Sequence, residues 1–93
     1  MPLAIRDIEY FLAVARSGLI SSTALELGLT QPALTKAVQR VEEEFGTRLF
    51  ERSATGVRLN SAGLRVAGQL GRLQAQYADA MLLAGDMRAS RAG

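Results

Sequence analysis

The chain has 93 residues, 48% hydrophobic and 22% charged, with a net charge of +2, which fits one small globular domain, or a small domain and one long helix. It contains no cysteine and no histidine; that excludes disulfides, thiolate metal sites and the commonest general base, so an enzyme is not expected. No apolar run is long enough to span a bilayer and the N-terminus lacks a signal-peptide layout, so the expectation is a cytoplasmic protein with no membrane partner.

Ile5 to Ser17 reads as a first helix, with Ile5, Ile8, Leu12 and Ala15 on one face and Phe11 beside them, while Arg6, Asp7, Glu9 and Arg16 are expected outside. Gly18 should cap it in a left-handed conformation. Leu19 and Ile20 are then expected to dip into the core before Ser21 or Ser22 caps a short second helix. At such a helix start Ser22 is also a candidate phosphate contact. In that helix Ala24 and Leu27 should face inward, whereas Leu25 has no obvious place on the buried face.

After a turn at Gly28, Thr30 is a good N-cap and Pro32 falls in the first turn, where a missing N–H costs nothing. Leu34, Ala37, Val38, Val41 and Phe45 recur at steps of three and four and form one apolar stripe. Pro32, Lys36, Gln39 and Glu43 point away from it, with Gln31, Thr35 and Arg40 on its flanks. Amides and hydroxyls can bond base edges, cations bond phosphates or guanine, and a helix N-terminus favours an anion. This outer face is therefore suited to a major groove. Glu43, nearly three turns further along, is expected to lie clear of the phosphates.

Gly46 breaks the third helix. Leu49–Ser53 and Val57–Asn60 then read as two short strands around Ala54-Thr55-Gly56, a hairpin whose Leu49, Phe50, Val57 and Leu59 can cover the core. Arg52 and Arg58 are left to face a polyanion, or else to make intramolecular salt bridges. Charge is polarised along this part of the chain: between Arg48 and Arg72 five arginines meet the single acid Glu51.

From Ser61, with Asn60 as cap, the pattern is helical to the end. Val66, Leu70, Leu73, Tyr77, Ala80, Ala84 and Met87 alternate by four and three, a heptad seam. A helix of roughly 30 residues is about 45 Å long, too long to bury its seam on so small a domain, so a partner helix is expected. Gly63, Gly68, Gly71 and Gly85 lower its intrinsic propensity, which points to packing as its support.

Three segments in order, TQPALT at 30–35, LFER at 49–52 and LNSAG at 59–63, are similar to the LysR-type transcriptional regulators, over most of the chain from about Ile5. The resemblance implies a mainly α fold: a winged helix–turn–helix of three helices and a two-stranded wing over residues 1–60, then a long dimerisation helix over residues 61–93. It implies double-stranded DNA as partner, with Gln31, Thr35 and Lys36 on base edges and Thr30 and Pro32 positioning the helix. Ser22, Gln39, Arg40, Arg52, Thr55 and Arg58 complete the expected contact set. It also implies a homodimer paired antiparallel through Val66, Leu70, Leu73, Tyr77, Ala80 and Ala84, acting on an inverted repeat. Family members carry a larger ligand-binding domain after this helix, so the resemblance implies a small-molecule inducer only through a domain absent from this chain, and no cofactor for the chain itself.

Two departures stand out. Thr23 occupies a position that is usually small and apolar, and the wing tip, Ala54-Thr55, lacks the basic residue of many relatives, which shifts the expected wing contacts to Arg52 and Arg58. A second hypothesis is a helical dimerisation or protein-docking module that never meets DNA. The face formed by Gln31, Thr35, Lys36 and Gln39 argues against it, because a docking face usually carries an aromatic or methionine anchor.

Overall fold

The ring of Phe11 is fully buried and meets Phe50 with centroids 5.3 Å apart, tilted by 58°, and the elements assemble around this pair. In the computed structural model, which describes residues 2–92, they run α1 (Ile5–Ser17), α2 (Ile20–Leu27), α3 (Gln31–Phe45), β1 (Phe50–Ser53), β2 (Gly56–Leu59) and α4 (Ser61–Ala92). The fold is a winged helix–turn–helix carrying a 32-residue C-terminal helix. Ile8, Phe11, Leu12 and Val14 of α1 pack with Ala24 of α2 and with Leu34, Val38 and Val41 of α3. Leu49 and Phe50 close the core from the wing side.

Local signals place most boundaries. Gly18 ends α1 at φ 74° and its N–H returns to the Val14 carbonyl, a left-handed cap that a side chain would strain. Thr30 caps α3 through its hydroxyl, which accepts the Ala33 N–H at 3.2 Å. Asn60 does more than cap α4. Its Oδ1 accepts the Gly63 N–H at 2.8 Å, its Nδ2 donates to the Arg48 carbonyl at 2.9 Å, and its backbone N–H donates to the Leu49 carbonyl at 2.9 Å. One side chain thus ties the entry of β1 to the start of α4.

The start of α2 differs from expectation. The helix begins at Ile20 with Leu19 at the N-cap and no side-chain cap; Ser21 and Ser22 lie inside its first turn. Ile20 packs against the core, and turning it inward starts the helix before either serine can cap it. Ser17 takes over the polar role. Its Oγ accepts the Leu19 N–H at 3.1 Å and shares a short hydrogen bond with the buried Thr23 hydroxyl, which explains how a threonine is tolerated there. Leu19 stays largely outside the core, as do Leu27 and Phe45, which were expected inside. Each sits at or beside a helix end that reaches past the packed region.

Strands β1 and β2 pair antiparallel in the register Phe50↔Leu59, Glu51↔Arg58, Arg52↔Val57 and Ser53↔Gly56, so Gly56, expected in the turn, belongs to β2 and the turn is Ala54-Thr55 alone. The wing is fastened to the α1–α2 corner: the Val57 N–H donates to the Gly18 carbonyl at 2.9 Å. A Cβ on Gly56, whose φ is 152°, would lie 2.1 Å from that same oxygen, so only glycine lets the strand come this close.

Helix α4 gives the molecule its 54 Å long axis. Its first turns belong to the head's core, where Leu70 is buried and Ala62, Val66 and Ala67 pack partly covered. Leu70, expected in an intermolecular seam, is thus engaged by the head itself, whereas Val66 is only partly covered by it. Beyond them Leu73, Tyr77, Met81, Leu82, Leu83 and Met87 are exposed. None of the helices, searched over the described residues, is long and apolar enough to cross a membrane.

Candidate nucleic-acid interface

The apolar stripe of α3, Leu34, Ala37, Val38 and Val41, is turned fully into the core. By the 3.6-residue period the opposite face must be presented outward. There Gln31, Pro32, Thr35, Lys36 and Gln39 line one shallow depression open to solvent. Gln31, Pro32, Lys36 and Gln39 are exposed, and Thr35 is half-buried at its edge. Pro32 contributes no N–H and Thr30 consumes the Ala33 amide. The polar chemistry of this face is therefore mainly side-chain: two carboxamides, a hydroxyl and one ammonium, a set able to donate to and accept from base edges.

Arg40, grouped with this set from sequence, is engaged elsewhere. Its Nη2 and Nε donate to Asp7 Oδ1 at 2.9 and 3.1 Å, and the Asp7 side chain, expected outside, is nearly buried because this guanidinium covers it. The hydrogen bond to Asp7 raises the Arg40 pKa above its ordinary value, with smaller contributions from the Asp7 and Glu43 charges and against a partial desolvation. Arg40 therefore stays charged and ties α3 to α1.

Between α3 and the wing runs a cleft lined by Thr35, Gln39, Glu42, Arg48, Phe50, Glu51, Arg52 and Val57, among others. Glu42 shapes it. Its Oε2 accepts the Leu49 N–H at 2.7 Å and the Phe50 N–H at 3.4 Å, so the carboxylate is spent on the wing's first residues instead of facing outward. Arg48 projects along the same cleft, although its place in the loop gave it no periodicity by which to be singled out. The surplus of arginines over acids from Arg48 onward was the available signal.

The hairpin separates the two arginines that sequence reasoning grouped. Side chains alternate across a strand and directly paired residues share a face. Arg52 therefore lies on the face of Val57, toward the cleft, and Arg58 on the face of Glu51. Arg58 Nε donates to Glu51 Oε1 at 2.9 Å, the intramolecular salt bridge that was the alternative for these residues. Arg52 makes no ion pair among the described residues. Thr55 is exposed at the wing tip, and Ser22 is half-buried in the first turn of α2. The surface thus brings Gln31, Pro32, Thr35, Lys36, Gln39, Arg48 and Arg52 onto one side, while Arg40 and Arg58 are held by carboxylates.

Known proteins share this fold. Residues 5–64 match the family described as bacterial regulatory helix-turn-helix protein, lysR family. The HTH-type transcriptional regulator TfdT of Cupriavidus pinatubonensis is 43% identical over 61 residues, covering 66% of this chain and 27% of that protein. The HTH-type transcriptional regulator TdcA of Escherichia coli is 53% identical over 58 residues, covering 62% of this chain and 19% of that one. This chain therefore spans about a quarter or less of the length of these relatives. Among solved structures, the CbnR DBD–DNA complex superposes with a TM-score of 0.75 at 30% identity, covering 98% of this chain and 100% of that one. The BenM DBD in complex with catB site 1 DNA gives a TM-score of 0.84 at 24% identity over 96% of each chain, a likeness of fold.

Proposed function

The chain belongs to the LysR family of bacterial regulatory helix-turn-helix proteins, and from that premise we propose that it binds double-stranded DNA sequence-specifically as the head of a cytoplasmic transcriptional regulator. One observation carries the reading. The exposed face of α3 presents Gln31, Thr35, Lys36 and Gln39 opposite a fully buried stripe, with Arg48 and Arg52 lining the adjoining cleft. Inserted in a major groove, α3 sets Gln31, Thr35 and Lys36 against base edges, while Thr30 and Pro32 hold its first turn at the backbone. Arg52, with Arg48 beside it, meets phosphates, and Thr55 follows at the tip. Arg58 reaches a phosphate only by leaving Glu51, and Ser22 adds a backbone contact from α2.

Dimerisation belongs to the same proposal. Two heads joined through α4 present two recognition helices to an inverted repeat, and the two half-sites add their contacts. Any small-molecule inducer acts through parts of the regulator outside this chain. Fluorescence anisotropy on a duplex selected from a random pool, and on unselected duplex, tests the reading across a salt series. Both affinities should fall steeply with salt, and the selected duplex should bind far more tightly. An affinity for duplex that is absent at low salt, or insensitive to salt, overturns it and favours a module that docks only proteins.

A further inference from the structure

With Leu70 committed to the head, the surface of α4 left for a partner is displaced around the helix from the Leu70–Tyr77–Ala84 line. At about 100° per residue the neighbouring strip comprises Val66, Gln69, Leu73, Gln76, Ala80 and Leu83, again alternating by three and four. At its N-terminal end the strip opens into a groove lined by Phe45, Thr47, Ala62 and Gln69. Phe45 is 44% exposed there although α3 otherwise buries its apolar stripe. At the other end Leu83 and Met87 are exposed.

Along one edge of this strip stand four charges at a strict seven-residue interval: Arg65, Arg72, Asp79 and Asp86. Arg65, Arg72 and Asp79 immediately precede the strip residues Val66, Leu73 and Ala80, and Asp86 precedes Met87, the next position in the same alternation. All four are exposed, and none makes an ion pair among the described residues. The order is two cations, then two anions, symmetric about the stretch between Gln74 and Gln76. A stripe that is the charge complement of its own reversal fits a second copy of itself laid antiparallel.

We propose that Arg65, Arg72, Asp79 and Asp86 form a self-complementary charge stripe that fixes the direction and register in which α4 pairs with a second copy of this chain. This deepens the dimeric reading above and rests on it. In an antiparallel pair, flanking residues of the same kind meet across the same edge of the seam. Setting Leu73 against the partner's Gln76, and Val66 against the partner's Leu83, brings Arg65 to the partner's Asp86 and Arg72 to the partner's Asp79. Twofold symmetry makes each pair twice. The same register carries the partner's Met87 to Ala62, in the groove where Phe45 lies exposed.

The alternatives are penalised by the same four residues. A slip of one heptad in one direction sets Arg72 on the partner's Arg72; in the other it sets Asp79 on the partner's Asp79. A parallel pair sets Arg65, Arg72 and Asp79 against Leu70, Tyr77 and Ala84, with no counter-charge. Exposed ion pairs contribute little energy singly, but like-charge juxtaposition is an efficient way to reject wrong partners. The stripe therefore selects this chain's own copy over related linker helices that carry another charge order.

Charge swaps in the 93-residue chain, followed by sedimentation equilibrium, test this. Arg65→Asp alone and Asp86→Arg alone should each weaken the dimer by about tenfold or more, because each creates two like-charge contacts. Combining Arg65→Asp with Asp86→Arg in one chain should restore wild-type affinity. Combining Arg65→Asp with Asp79→Arg, which has the same composition and net charge, should not. Helix content by circular dichroism shows whether every variant remains folded. Equal affinities for the two double swaps, or single swaps that match wild type, overturn the stripe and leave the dimer standing. A wild-type chain that is monomeric at high micromolar concentration overturns the dimer, and the stripe with it.

Discussion

Glu42 Oε2 accepts the Leu49 N–H at 2.7 Å, joining the far end of the recognition helix to the first residues of the wing. The Leu49 side chain is fully buried, so water cannot readily replace the lost acceptor. Glu42→Ala leaves this N–H without its partner and should cost about 1–3 kcal/mol in urea unfolding. Glu42→Gln keeps an oxygen in place and should cost less. In DNA binding, Glu42→Ala should lose affinity for the selected duplex through a displaced wing.

Gln31→Ala separates readout from positioning. It should cost about 1–3 kcal/mol on the selected duplex and much less on random DNA, as expected of a residue bonding a base edge. Equal losses on both duplexes, measured by anisotropy, would mark Gln31 as a backbone contact.

Arg52 and Arg40 make a contrasting pair. Arg52→Ala should weaken all sequences similarly and reduce the salt slope by about one unit. Arg40→Ala should leave the slope nearly unchanged, because that guanidinium is held by Asp7, and should lower the urea midpoint by stranding a buried carboxylate. A salt slope that drops as much for Arg40→Ala as for Arg52→Ala would mean that the ion pair opens on DNA.

Gly56→Ala should be among the most damaging small changes on the surface of the head. Its Cβ would meet the Gly18 carbonyl at 2.1 Å at a φ of 152°, so the wing must leave the α1–α2 corner. A loss of at least about 1–3 kcal/mol is expected in thermal unfolding. Gly68→Ala, where a Cβ meets nothing within 4 Å, should instead be neutral or stabilising through better helix propensity.

What could be read from the sequence was what neighbours in the chain decide. Gly18, Thr30, Gly46 and Asn60 mark helix ends by their own chemistry, and they lie where the pattern placed them. Decisions made by distant residues were less visible. Ile20 starts α2 before Ser21 because the core attracts it. Arg58 meets Glu51 because a two-residue turn, Ala54-Thr55, pairs the two positions directly, where a three-residue turn was expected. A heptad pattern reports that Leu70 is buried without saying by what, and here the head covers it. The Asp7–Arg40 pair spans 33 positions, which no local pattern reports.

The root of α4 has a mechanical meaning. A Cβ on Gly63 would lie 2.1 Å from the Leu49 carbonyl, and Leu70 two turns later is still inside the core, so the packing of its first two turns sets the angle at which the helix leaves the head. Such a helix works as a graduated rod. Moving a paired copy along it by one heptad shifts the two heads by about 10 Å, close to three base pairs of duplex at 3.4 Å each. Operator spacing would then be written in whole heptads, and a seven-residue insertion after Leu70 should change which half-site separation is bound while leaving the bases read in each half-site the same.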